Sequence, residues 1–96
     1  MRCKKDLFFQ NFSSKLRLAI IETLLESPKN VGQICDVLDE EQSKVSHNLK
    51  KLFDCNFVSI KKDGKHRIYT LNETTIIPLM KLVDKHKINF CQNCKD

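Results

Sequence analysis

The stretch from Glu41 to Phe53 constrains the fold of this chain most, because it predicts a helix with two chemically distinct faces. Val45, Leu49 and Leu52 recur at the spacing of one apolar helical stripe. Phe53, beside Leu52 at i+8, is assigned to the same inward-facing stripe. The opposite face carries hydroxyl, imidazole and ammonium groups and no acid after Glu41. Because such groups hydrogen-bond base edges and neutralise phosphates, the stretch is predicted to be the recognition helix of a DNA-binding domain.

The segment before this helix predicts its partner in a helix-turn-helix. Residues 31–38 are predicted to form a short helix whose apolar side chains point inward: Val31, Ile34, Val37 and Leu38. Asp39, Glu40 and Glu41 follow as a tight polar turn. Two helices joined by so short a turn, the second with charge of one sign on its outer face, indicate a helix-turn-helix over residues 31–54.

Residues 57–71 are predicted to form a two-stranded hairpin, because Asp63-Gly64 separates two segments rich in β-branched and aromatic residues. The tip of this hairpin carries a cluster of basic residues: Lys61, Lys62, Lys65, His66 and Arg67. A cationic ribbon directly after a recognition helix is expected to be a wing that lies along the minor groove or the DNA backbone. The alternative is a hairpin that its lysines merely keep soluble.

The two ends of the chain are predicted to form a dimer interface. Residues 5–11 and 74–90 are interpreted as helices with more apolar surface than one face of a small domain can absorb. The side chains assigned to the interface are Leu7, Phe8, Phe9, Leu79, Leu82 and Val83. The alternative is that the last helix folds back on its own core. Pro78 is expected either in the first turn of that helix or at a kink.

The length predicts one domain, residues 1–96. With a central core helix that starts at the serine cap of residues 13–14, the predicted elements make it mainly α, with about five helices and a two-stranded wing. The net charge is +5, and between residues 41 and 70 seven Lys or Arg stand against three Asp or Glu, which favours a phosphate-binding face there. No apolar run approaches the roughly 20 residues of a membrane helix and no signal peptide is recognised, so a cytoplasmic protein is expected. The five cysteines are therefore expected to be thiols, with Cys55 as a packing residue.

With its elements in this order, the chain resembles the ArsR/SmtB family of winged-helix repressors over residues 14–72. The resemblance rests on K-L-R at residues 15–17, on S-x-V-S-H-x-L at residues 43–49, and on F-V…K-K-D-G-K…Y-T-L between residues 57 and 71. It implies a homodimeric repressor, not an enzyme, on a near-palindromic operator in double-stranded DNA. Gln42, Ser43, Ser46 and His47 would then face base edges. The expected phosphate contacts are Lys44, Lys50, Lys51, Lys61, Lys62, Lys65 and Arg67.

Repressors of this family usually leave their operator when they bind a metal or metalloid ion. The family's cysteine box falls on residues 29–34, where Asn30 stands in place of the cysteine. Its zinc positions fall on residues 73, 75, 86 and 89, of which only Glu73 and His86 could ligate. Cys91 and Cys94 remain as a pair for a soft ion such as arsenite, cadmium or zinc, with either Cys3 or a thiol of the partner subunit as a third ligand.

Three alternatives stay open at this point. Cys91 and Cys94 can instead close a disulfide, so that oxidation rather than a metal switches the same repressor. They can also be inert thiols near the end of the sequence. The third alternative is a winged-helix module that binds protein and has no specific affinity for DNA.

Overall fold

Helices dominate the architecture, as the composition and periodicity predict. A computed structural model describes residues 3–91. Within this range the elements are α1 (Lys5–Ser13), α2 (Lys15–Glu26), α3 (Val31–Leu38), α4 (Gln42–Asp54), β1 (Val58–Asp63), β2 (His66–Leu71) and α5 (Ile76–Phe90). This order confirms the predicted fold class, a winged helix-turn-helix with five helices and a two-stranded antiparallel hairpin. None of the helices in residues 3–91 is long and apolar enough to cross a membrane.

Side-chain caps fix where the central helices begin. Ser14 separates α1 from α2, and its hydroxyl oxygen accepts a hydrogen bond from the Arg17 N–H at 3.3 Å. Asn30 and Gln33 form a capping box at the start of α3, with backbone-to-side-chain bonds of 2.8 and 2.9 Å. Such caps satisfy N–H groups that the first helical turn cannot pair. The turn to α4 begins at Asp39, which has a left-handed φ of 51°.

Pro78 lies at the third position of α5, so the first of the two expected placements is the observed one. The first-turn N–H groups of a helix have no intrahelical acceptor, so proline costs little there. Just before the helix, the Asn72 side-chain oxygen accepts hydrogen bonds from the N–H groups of Thr74 and Thr75 at 2.9 and 3.2 Å. This turn leads directly into the first turn of α5.

The core gathers apolar side chains from α2, α3, α4, the wing and the first turns of α5. Its buried members are Ile20, Ile21, Leu24, Ile34, Val45, Leu49, Leu52, Phe57, Val58, Leu71, Ile76 and Met80. Helix α1 adds Phe8 and Phe12, whose rings lie 4.8 and 5.3 Å from the ring of Phe57. Phe8 was assigned to the dimer interface from sequence. The structure corrects this, because Phe8 turns inward and packs on Phe57 instead.

Two other apolar residues expected to point inward are exposed. Val37 is 57% exposed and Phe53 is 44% exposed. At about 100° per residue, the face shared by Ile34 and Leu38 leaves Val37 turned away from the core. Phe53 similarly falls about 70° off the line through the buried residues of α4. Both expectations were wrong because the spacing of apolar residues locates the buried face of a helix only roughly and does not show which residues at its margin are exposed.

A disulfide joins Cys3 to Cys55, with their Cα atoms 5.0 Å apart. Two expectations are corrected by this bond: that Cys3 and Cys55 are thiols, and that Cys3 completes a metal site with Cys91 and Cys94. Cys35 and Cys91 are free thiols, as expected. The physical reason is the packing of α1. Because Phe8 and Phe12 pack α1 on Phe57, Cys3, two residues before α1, lies next to Cys55, the residue that caps the end of α4.

Candidate nucleic-acid interface

Helix α4 exposes to solvent each of its side chains that the sequence assigned to DNA contact. Val45, Leu49 and Leu52 are fully buried, and they fix which side of the helix faces the core. The residues left outside are Gln42, Ser43, Lys44, Ser46, His47, Lys50 and Lys51, all of them exposed. An α-helix that displays polar side chains in this way fits the width of the DNA major groove.

Two of the exposed lysines of α4 form ion pairs with acidic residues four positions away in the sequence. Lys44 Nζ lies 3.6 Å from Glu40 and Lys50 Nζ lies 3.9 Å from Asp54. Both pairs are at the surface and have i,i+4 spacing, so they contribute little to stability. They can therefore be exchanged for phosphate contacts at small cost.

The wing follows as a regular two-stranded ribbon. Its register runs from Val58↔Leu71 to Asp63↔His66, so the two loop residues are Gly64 and Lys65. The loop is thus one residue later than the Asp63-Gly64 pair named from sequence. Gly64 has a φ of 63°, which suits the first loop position of a tight hairpin turn. The predicted phosphate contacts of the wing are all exposed: Lys61, Lys62, Lys65 and Arg67.

The wing is tied to the helix-turn-helix by contacts that the sequence did not predict. Lys29, just before α3, pairs with Tyr69 of β2 through two backbone hydrogen bonds of 3.1 and 2.8 Å. The Asn72 N–H donates to the Phe57 carbonyl at 2.8 Å, and the Asn72 side chain donates to the Asn56 carbonyl at 2.9 Å. These bonds hold the wing and the recognition helix in a fixed relation.

A cleft of about 390 Å³ lies between α4 and the wing. Its polar lining is cationic or hydroxylic, and no acidic residue takes part. The lining residues are Val31, Ser46, Leu49, Lys50, Phe53, Ile60, Arg67 and Tyr69. The recognition helix and the wing therefore form one continuous surface without a negative charge at their junction. Phe53 is one of the residues that line this open cleft, so part of its side chain is exposed to solvent.

A polar network behind α4 was missed by the sequence reasoning. Arg17 of α2 donates from Nε to the Asn48 side-chain oxygen at 3.2 Å and from Nη1 to the Asn11 side-chain oxygen at 3.0 Å. Asn48 in turn donates to the Lys44 carbonyl at 2.8 Å. The sequence offered Arg17 only as part of the K-L-R motif in the first turn of a largely apolar helix, with no indication of its partners.

The residues assigned to dimerisation are mostly exposed. Leu7, Phe9, Leu82 and Val83 are 41%, 60%, 62% and 42% exposed, while Leu79 is half-buried. On α5, Ile88 and Phe90 extend the same kind of surface, with exposures of 69% and 77%. Large apolar side chains exposed on both α1 and α5 are typical of an interface with another chain.

The residues assigned to a metal site are not brought together in the part of the chain that the structure describes. Cys91 is a free, half-buried thiol, and Cys94 lies outside the described residues. Cys3 is bonded to Cys55. Within residues 3–91 no group of three His, Cys, Asp or Glu side chains could hold a metal ion. The described residues therefore do not supply the donor set that a soft metal needs.

Comparison with known proteins finds relatives among transcriptional regulators. The family model described as bacterial regulatory protein, arsR family, matches residues 14–59. An uncharacterized HTH-type transcriptional regulator of Methanocaldococcus jannaschii is 31% identical over 78 residues, which are 80% of this chain and 88% of that protein. The probable mercury resistance operon repressor of Streptomyces lividans is 27% identical over 75 residues, 78% of this chain. This chain spans 60% of that repressor's length, and 18% of the length of a second M. jannaschii HTH-type regulator.

Solved structures show the same fold. The homodimeric winged helix-turn-helix DNA-binding domain of a Mycobacterium bovis protein superposes with a TM-score of 0.83. The alignment covers 95% of this chain and 84% of that chain at 18% sequence identity. At this identity the likeness concerns the fold alone, and it agrees with the winged helix-turn-helix expected from the sequence.

Proposed function

The chain belongs to the arsR family of regulatory proteins, and we propose that it is a transcriptional repressor that binds double-stranded DNA as a homodimer. The observation that carries the proposal is the exposed polar and largely basic surface of α4 and the wing, which meet at a cleft whose lining residues include no acid. In this proposal Ser43, Ser46 and His47 read base edges in the major groove, with Gln42 near the helix start. The wing lysines and Arg67 contact phosphates beside it.

The homodimer is supported by the exposed apolar side chains of α1 and α5. An interface built from Leu7, Phe9, Leu82 and Val83 would remove them from water. Two such chains related by a twofold axis place their recognition helices in successive major grooves, about one helical turn apart. A near-palindromic operator follows from that symmetry. The M. bovis domain of the same fold is itself homodimeric.

The proposed inducer is a thiol-binding metal or metalloid ion, for which Cys91 and Cys94 are the ligands on this chain. The mercury resistance repressor among the relatives supports this class of inducer. Two thiols fall short of the roughly three to four ligands that such ions take, and Cys3 is engaged with Cys55. A third ligand would have to come from the partner subunit. Oxidation of Cys91 and Cys94 is the alternative switch, and it needs no further ligand.

Fluorescence anisotropy with the DNA upstream of the chain's own gene tests the proposal. Binding should be at least a hundredfold tighter than to random DNA, and it should weaken steeply between 50 and 200 mM salt, roughly as expected for several phosphate contacts. Equal, weak affinity for both DNAs would favour the protein-binding module instead. Added arsenite or cadmium should release the operator. Release by an oxidant but not by either ion would replace the metal switch with the redox one.

A further inference from the structure

On its core-facing side, helix α4 accepts a hydrogen bond from the Arg17 side chain of α2, which also hydrogen-bonds to α1. Arg17 projects from α2 and donates to Asn48 of α4 at 3.2 Å and to Asn11 of α1 at 3.0 Å. Asn11 is 1% exposed, and Arg17 and Asn48 are half-buried. One guanidinium therefore connects the helix proposed for dimerisation, the central core helix and the recognition helix.

Both ends of the Asn48 amide are occupied. Its oxygen accepts from Arg17, and its nitrogen donates to the Lys44 carbonyl one turn earlier in α4. Asn48 follows His47 directly and precedes the buried Leu49, so it lies at the border between the reading face and the core. A bond at this border adds a directional restraint on rotation of α4 about its own axis to the restraint that the packing of Val45, Leu49 and Leu52 provides.

The chemistry of arginine suits this role. A guanidinium offers several N–H donors in a rigid plane, so it can serve two amide oxygens in fixed directions. No carboxylate lies within ion-pair distance of Arg17 in the part of the chain that the structure describes. The orientation of the guanidinium is therefore set by Asn11 and Asn48 rather than by an acid.

We propose that Arg17 is a positioning residue for DNA readout, which sets the rotation of the recognition helix through Asn48 while Asn11 holds the guanidinium from α1. The proposal rests on the proposed function, since it assigns a role within the same DNA interface. Arg17 itself does not touch a base. It acts on Ser43 and His47 by fixing the helix that carries them.

The test compares Arg17→Lys, Asn48→Ala and the double variant on two DNAs. Lysine keeps the positive charge but cannot hold both amides in fixed directions. Anisotropy titrations on the DNA upstream of the chain's own gene and on random DNA separate sequence readout from charge. Circular dichroism melts confirm that each variant is folded at the assay temperature. Lys15→Gln, which removes an exposed charge from the same helix, is the matched control.

Arg17→Lys and Asn48→Ala should each weaken specific binding by about tenfold and leave binding to random DNA within about twofold. The double variant should lose no more than either single one, because both changes break the same bond. Lys15→Gln should leave the ratio of specific to random binding unchanged. Equal losses on both DNAs, no loss with Arg17→Lys, or multiplying losses in the double variant would each overturn the positioning role. Failure of the wild type to prefer its upstream DNA would instead overturn the proposed function.

Discussion

Reduction of the Cys3–Cys55 disulfide is expected to lower the thermal stability of the chain substantially. The bond spans 52 positions of the sequence and joins Cys3, two residues before α1, to Cys55, which caps the end of α4. In the chain-entropy account, a cross-link that closes a loop of this length stabilises the folded state by about 4 kcal/mol. For a domain of this size each kcal/mol corresponds to roughly 4–8 °C, so the Tm should fall by about 15 °C or more.

Circular dichroism melts with and without a reductant measure this effect. Cys3→Ser and Cys55→Ser should each melt at the temperature of the reduced wild type, and neither should respond to the reductant. Cys35→Ser, which changes a free thiol, is the matched control and should keep the response of the wild type. Peptide mapping of the unreduced protein by mass spectrometry should recover Cys3 and Cys55 in one linked fragment.

Two results would refute this reasoning. One is a Tm that is the same in the presence and absence of reductant while mass spectrometry shows the linked fragment, because the bond would then constrain nothing. The other is recovery of Cys3 in a linked fragment with Cys91 or Cys94. That pairing would mean that α1 does not seat on Phe57 as the ring contacts indicate.

Three further changes test separate parts of the account. Replacing Ser43 and His47 together with alanine should abolish preference for the upstream DNA and leave salt-sensitive binding to random DNA within a few-fold, since base contacts carry sequence information; a parallel loss on both DNAs would exclude them as base readers. Arg67→Ala should reduce the slope of log affinity against log salt by about 1 in anisotropy titrations, as expected for one lost phosphate contact, and an unchanged slope would remove the wing from the interface. Leu82→Asp should convert the dimer to a monomer in analytical ultracentrifugation, because an unpaired carboxylate in an apolar interface is costly, whereas an unchanged sedimentation coefficient would place the dimer contact elsewhere.

The elements of the fold could be predicted because their signals are local. The spacing of Val45, Leu49 and Leu52 fixes α4, and the same three residues are fully buried. The hairpin follows from the glycine between two β-rich segments, although the loop is one residue later than Asp63-Gly64. The exposed face of α4 follows from the buried one, so every proposed DNA contact on that helix could be named from the sequence.

Contacts between distant segments could not be predicted in the same way. The Cys3–Cys55 bond depends on where α1 packs, and the inward turn of Phe8 is part of that packing. Phe8 and Phe9 are the same residue type, yet Phe8 packs on Phe57 while Phe9 is 60% exposed. The Arg17 hydrogen bonds join three helices, and the hydrophobic periodicity of each helix does not predict contacts between side chains of different helices.

The central claim is that α4 and the wing together form the surface that binds DNA. An NMR titration of isotope-labelled protein with the DNA upstream of its own gene tests this most directly. The account predicts that the largest amide shift changes fall on residues 42–51 and 61–67, with α5 little affected. Shift changes concentrated on α1 and α5, or none in α4 at saturating DNA, would contradict it.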